Sequence, residues 1–249
     1  MKPDYGTALN VAVDLVREHL GDEAFKELTK VPKMKRVRSM PGLFRLVVGI
    51  LAEAKPIREN VPEVEALAKA LYRFDPRKVA LCHEKPGQLE RRICRMVPGW
   101  SAEGVEPFAL GVVEGARTLV ACDTASGFHR FVEEFHNYGK DSKDSKDCMI
   151  ASCLPLYLEK EIPGIGCAGA CRFLNQAGHS VFFIVESKVR VLLFDTGLTE
   201  TRGLYDSFFA VLEMSDQGDL HPHAVHAVLS ALVVHNLQSR FLENLARHS

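Results

Sequence analysis

The chain has almost no excess charge of either sign: 31 Lys and Arg stand against 32 Asp and Glu in 249 residues, a formal net charge of −1. That balance excludes a uniformly basic surface, so any contact with nucleic acid must come from local patches. Tryptophan occurs once, at Trp100, and a lone Trp reads as core before it reads as a stacking platform. The seven cysteines are an odd number with no C-x-x-C pair, which argues against a disulfide framework and gives no zinc signature. Reduced, mostly buried thiols are the expectation. No apolar run approaches the length of a membrane span, and the start Met1-Lys-Pro-Asp-Tyr-Gly-Thr has no apolar signal core, so a soluble intracellular protein without a membrane partner is expected.

What is present is ordinary globular material, 47% hydrophobic and 25% charged, enough for a real core in one or two domains. Apolar spacing predicts helices over 9–20, 43–54, 61–72, 88–96, 105–122, 128–135, 148–159 and 167–177. Between the first two lies a stretch with Lys30, Lys33, Lys35, Arg36, Arg38 and Arg45 and no acid. It reads equally as a solvated linker or as a phosphate-contacting arm. The duplicated triplet at 141–147 is polar and lacks the glycine and terminal Glu of a calcium loop, so it reads as a linker. By local pattern, the β-branched and aromatic runs at 181–185 and 189–194 suggest a β-hairpin turning near 186–189, although short apolar runs do not distinguish strand from helix.

The most informative segment is Ile162-Pro163-Gly164-Ile165-Gly166. Pro163 fixes the entry angle, and the glycines allow positive φ and close backbone approach, so a tight hairpin opening a helix is predicted. Unsatisfied amides at that helix start form an anion site suited to phosphate. This segment, with Ala170 on the following helix and Glu186 beyond it, resembles the helix-hairpin-helix base-excision DNA glycosylase superfamily. The resemblance is sharp over 155–200 and looser over 43–95.

The resemblance implies a mainly α, two-lobed helical fold over 1–249, with lobes at 43–140 and 148–249 and an N-terminal extension at 1–42. It makes 187–196 a helix, against the local pattern. It assigns duplex DNA as the partner, contacted by Pro163, Gly164, Ile165, Gly166, Cys167 and Lys188, and Glu186 as the catalytic carboxylate, where the family carries Asp. It would place a structural K+ or Na+ on the backbone carbonyls of Lys160, Ile162 and Ile165. No other cofactor is required, and no iron–sulfur cluster is expected because the family's closely spaced Cys quartet is missing. The strand-nicking members carry a Schiff-base Lys where this chain has Ala168. The expected activity is therefore monofunctional: hydrolysis of the N-glycosidic bond of a damaged base in DNA repair.

Two alternatives stand beside it. One is a non-catalytic DNA-binding relative that kept the hairpin. The other is a metal-dependent hydrolase, prompted by Val191-Leu-Leu-Phe-Asp195-Thr-Gly197 and by His221-Pro-His223-Ala-Val-His226, which would need the three histidines to converge. That metal motif fails at Val225, where it requires an acid.

Overall fold

The structure, a computed structural model, describes residues 4–53, 67–97, 102–137 and 146–248. The described residues form thirteen α-helices and no strand. They group into two compact units, Met1–Met34 with Ser180–Ser249, and Lys35–His179. This division runs differently from the 43–140 and 148–249 lobes expected from sequence, because the first two helices pack with the last ones.

In the discontinuous unit, α1 (Tyr5–Leu20) is capped by Asp4, whose carboxylate accepts from the Thr7 amide at 3.0 Å. Its buried face, Ala8, Leu9, Ala12, Leu15 and Val16, follows helical spacing. Short α2 (Asp22–Leu28) follows after Gly21. α1 packs against α11 (Leu204–Gly218), α12 (Pro222–Val234) and α13 (Gln238–His248). Gly218 lies where a Cβ would overlap the Leu9 side chain. Phe182 stacks on Phe208 at 6.0 Å, and Phe183 meets Phe208 edge-on at 5.5 Å.

The run at 181–186 is extended but has no partner strand, and 187–195 is helix α10 (Ser187–Asp195). Val189, Leu192 and Leu193 are buried, while Val191 and Phe194 are exposed. That i, i+3, i+4 set is what the β-like composition concealed. Exposed Phe194 is covered by the Arg202 guanidinium, 4.8 Å from the ring centroid.

The continuous unit is built around α3 (Met40–Glu53) and α6 (Ala102–Ala121). α3 buries Leu43, Phe44, Val47, Val48, Ile50 and Leu51, so it is apolar on most sides and sits in the core. α4 (Pro76–Cys82) and α5 (Pro86–Met96) pack on α6, and α7 (Ala125–Asn137) packs on α8 (Lys146–Glu161), which precedes α9 (Gly166–Gln176). Most of the helix expected over 61–72, Trp100 and most of the 141–147 linker lie outside the described residues. α2, α4, α11 and α13 were not predicted from sequence.

Candidate functional site

The turn between α8 and α9 is closed by two backbone bonds, Ile162 N–H to Leu158 O at 2.8 Å and Ile165 N–H to Ile162 O at 3.1 Å. Gly164 has φ +86° and Gly166 φ +60°, a region where a side chain is strained. Space is not what demands glycine there. A Cβ on Gly166 would meet nothing within 4 Å, and one on Gly164 only Leu51 Cδ2 at 3.7 Å. The outer side of the turn is therefore open to a close backbone approach.

The inner side is tightly held. Ile162 and Ile165 are buried. On α6, a Cβ at Gly111 would overlap the Pro163 carbonyl oxygen and lie 3.0 Å from Leu51 Cδ2, and one at Gly115 would lie 2.8 Å from Val47 Cγ1 and 3.5 Å from Ile162 Cγ2. On α9, Gly169 admits Ile50 and Ile165, whose atoms would be 2.9 and 3.2 Å from a Cβ. Three glycines thus let α3, α6 and α9 seat the turn.

Cys167 is half-buried and Ala168 exposed on the first turn of α9, and Ala170 is fully buried, as the inner-face position requires. Of the carbonyls assigned to a monovalent cation, that of Ile162 already accepts the Ile165 amide, and Lys160 belongs to the last turn of α8. Glu53, ending α3, forms an ion pair with Arg172 of α9.

The basic stretch is partly neutralised. Lys30 pairs with Glu27 at 3.1 Å and Arg36 with Glu133. Val37 is tied at both backbone groups: its N–H donates to Ala177 O at 3.1 Å, and its carbonyl lies 2.8 Å from His129 Nε2. A carbonyl only accepts, so His129 carries its proton on Nε2, and Nδ1 accepts from His179 Nε2 at 2.9 Å. The pair fixes residue 37 to α7 and to the end of α9.

Glu186 belongs to the other unit. It occupies the N-cap of α10 with φ −61° and ψ 148°, is exposed, and makes no side-chain cap bond. Lys188, on the first turn, is exposed too. The charge of Glu186 reaches His226 on α12. Burial pushes the His226 imidazole below its ordinary value, Glu186 opposes that shift, and His223 adds to it. The His226 ring lies 4.8 Å from Phe183, and its buried Nε2 has no hydrogen-bond partner. His221 is occupied differently: Nδ1 caps α12 by accepting from the His223 amide at 3.1 Å, and Nε2 faces Ser180 Oγ at 3.4 Å. Among the described residues, no three His, Cys, Asp or Glu side chains come together as a metal set.

One feature had no signal in the sequence. His83, buried after α4, has neither ring nitrogen hydrogen-bonded. Burial holds its pKa down, and the Arg92 charge adds to this. Beside it, at 5.8 Å, is Tyr72, the first of three consecutive non-glycine residues at positive φ, with Arg73 and Phe74. A base whose folded pKa is depressed gives stability that is present above its unfolded pKa, about 6.5, and is lost as pH falls toward the folded value. Denaturant midpoints should therefore fall on acidification below about pH 6.5. His83→Leu should be neutral or stabilising at pH 7 and should flatten that slope. A slope unchanged by His83→Leu would exclude His83 as its source.

No family model, no curated protein and no solved structure matches the chain. Among the described residues, no helix is long and apolar enough to cross a membrane.

Proposed function

We propose that this chain is a monofunctional DNA glycosylase of the helix-hairpin-helix kind, hydrolysing the N-glycosidic bond of a damaged base in duplex DNA. The observation that carries the reading is the turn at 162–166: two positive-φ glycines with an open outer side, held firmly from within, at the head of α9. The first amides of a helix have no intrahelical acceptor, so this end offers N–H donors to a DNA phosphate, aided by the positive end of the helix dipole. A monovalent cation on the turn carbonyls would add charge that a chain of net −1 otherwise provides only locally.

Glu186 supplies the chemistry. An ionised carboxylate stabilises the oxocarbenium-like sugar as the base departs, or takes a proton from the attacking water. Ala168 supplies no amine, so no Schiff base forms there and the strand stays intact. The target nucleotide must leave the stack for this reaction.

The test is excision on a panel of duplexes carrying damaged bases. An abasic product with an intact strand and no borohydride-trapped adduct is expected. Trapping of a covalent adduct overturns the monofunctional assignment, and binding without excision of any lesion favours the non-catalytic DNA-binding reading. Binding should be sequence-independent and should weaken steeply with salt. Gly164→Val with Gly166→Val should reduce affinity about tenfold, the equivalent of losing one charge-assisted hydrogen bond. No detectable affinity for duplex DNA at low salt would sink the nucleic-acid reading altogether.

A further inference from the structure

The first turn of α9 carries a second chemistry that does not depend on the DNA reading. Cys167 and Cys171 stand four residues apart on α9, hence on one face, one turn apart. They differ in setting: Cys171 is fully buried and Cys167 half-buried. The two thiols are hydrogen-bonded to each other. The buried partner is thus a donor held against a sulfur that solvent reaches, at the helix end where a negative charge is favoured.

We propose that Cys167 is a modification site for hydroperoxides, with Cys171 as the thiol that resolves its sulfenic acid. The hydrogen bond from Cys171 holds the Cys167 thiol below the ordinary thiol range, although burial and Glu159 oppose it, whereas the same bond and burial push Cys171 up. The outer sulfur is therefore the nucleophile, and the inner one keeps its proton.

In the first step the Cys167 thiolate attacks the distal peroxide oxygen. An S–O bond forms, the O–O bond breaks, and the departing alkoxide takes a proton from water to leave as the alcohol. In the second step the Cys171 sulfur attacks the sulfenic sulfur. The S–S bond forms, the S–O bond breaks, and hydroxide leaves with the Cys171 proton as water. Two thiols are oxidised and one hydroperoxide is reduced.

A regular helix holds i and i+4 Cβ atoms about 5–6 Å apart, whereas a disulfide requires about 3.5–4.5 Å. The second step therefore requires the first turn of α9, which begins at positive-φ Gly166, to open. The sulfenic acid should accordingly precede the disulfide by a measurable lag.

The experiment treats the intact protein with tert-butyl hydroperoxide, adds dimedone at intervals, and maps every cysteine by peptide mass. Wild type should show early dimedone labelling at Cys167 that gives way to a Cys167–Cys171 peptide lighter by two hydrogens. Cys171→Ser, whose hydroxyl still donates, should accumulate the dimedone adduct several-fold. Exposure alone would favour Cys82, the exposed thiol. Oxidation of Cys82 ahead of Cys167, or a Cys167–Cys171 peptide that remains fully reduced, overturns the proposal, and both are read on wild type without any variant.

Discussion

Gly111→Ala is expected to lower the unfolding free energy of the continuous unit by about 3 kcal/mol, the upper part of the range for overpacking. The added methyl would overlap the Pro163 carbonyl oxygen and press on both Leu51 methyls, at 3.0 and 3.2 Å. A backbone carbonyl in a closed turn cannot swing aside as a side chain end does, so α6 or the turn itself must shift. Gly115→Ala should cost less, since its nearest neighbours are side-chain atoms of Val47 and Ile162. Gly87→Ala is the control: it sits near the start of α5 with nothing within 4 Å, and alanine there should be neutral or gain up to about 1 kcal/mol in helix propensity. Denaturant unfolding of the three variants checks the order. Equal stabilities for Gly111→Ala and Gly87→Ala would mean that α6 does not hold the turn. If Gly111→Ala still folds, its DNA affinity should fall as well, because the displaced element is the one that presents the amides.

The turn was legible because its chemistry is local: proline, two glycines and flanking apolar residues act within five positions. What seats it was not legible. Gly111 and Gly115 lie some fifty residues before the turn and read in sequence only as propensity defects in an apolar helix. Helix α10 is an intermediate case. Val189, Leu192 and Leu193 carried a helical period, but β-branched neighbours on both sides masked it, and the absence of any partner strand for 181–185 is a tertiary fact. The pairing of residues 1–34 with 180–249 is equally invisible to a pass along the chain, since it depends on α1 finding α11 and α12. The His129–His179 bond spans fifty residues, and the orphaned nitrogens of His83 depend on burial alone. For the candidate site, sequence named Glu186 and its place at a helix start. It did not indicate that His226 would feel its charge, because the histidines were grouped by spacing as a metal motif, whereas His221 spends its Nδ1 on a helix cap.

Glu186→Gln is expected to cut excision at least about 100-fold while leaving the fold intact, the scale on which a group stabilising transition-state charge acts. The side chain is exposed and makes no cap bond, so stability should change by less than about 0.5 kcal/mol. The amide nearly preserves shape and removes the negative charge, so the variant tests charge and leaves packing alone. A second readout needs no DNA. Glu186 raises the pKa of His226 against the effect of burial, so removing the charge should move the His226 titration, followed by proton NMR, to lower pH. The two readouts separate the outcomes. A shifted His226 titration with lost excision assigns the carboxylate to the chemistry. A shifted titration with unchanged excision leaves Glu186 charged and well placed but outside the mechanism. Glu186→Asp completes the series: it retains the charge on a shorter arm, so it should keep the His226 titration close to wild type. Its excision rate then measures how far the carboxylate must reach. Activity at or above wild type would mean that the family's shorter acid fits this backbone, and a loss approaching that of Glu186→Gln would mean that the backbone around residue 186 has adapted to the longer one.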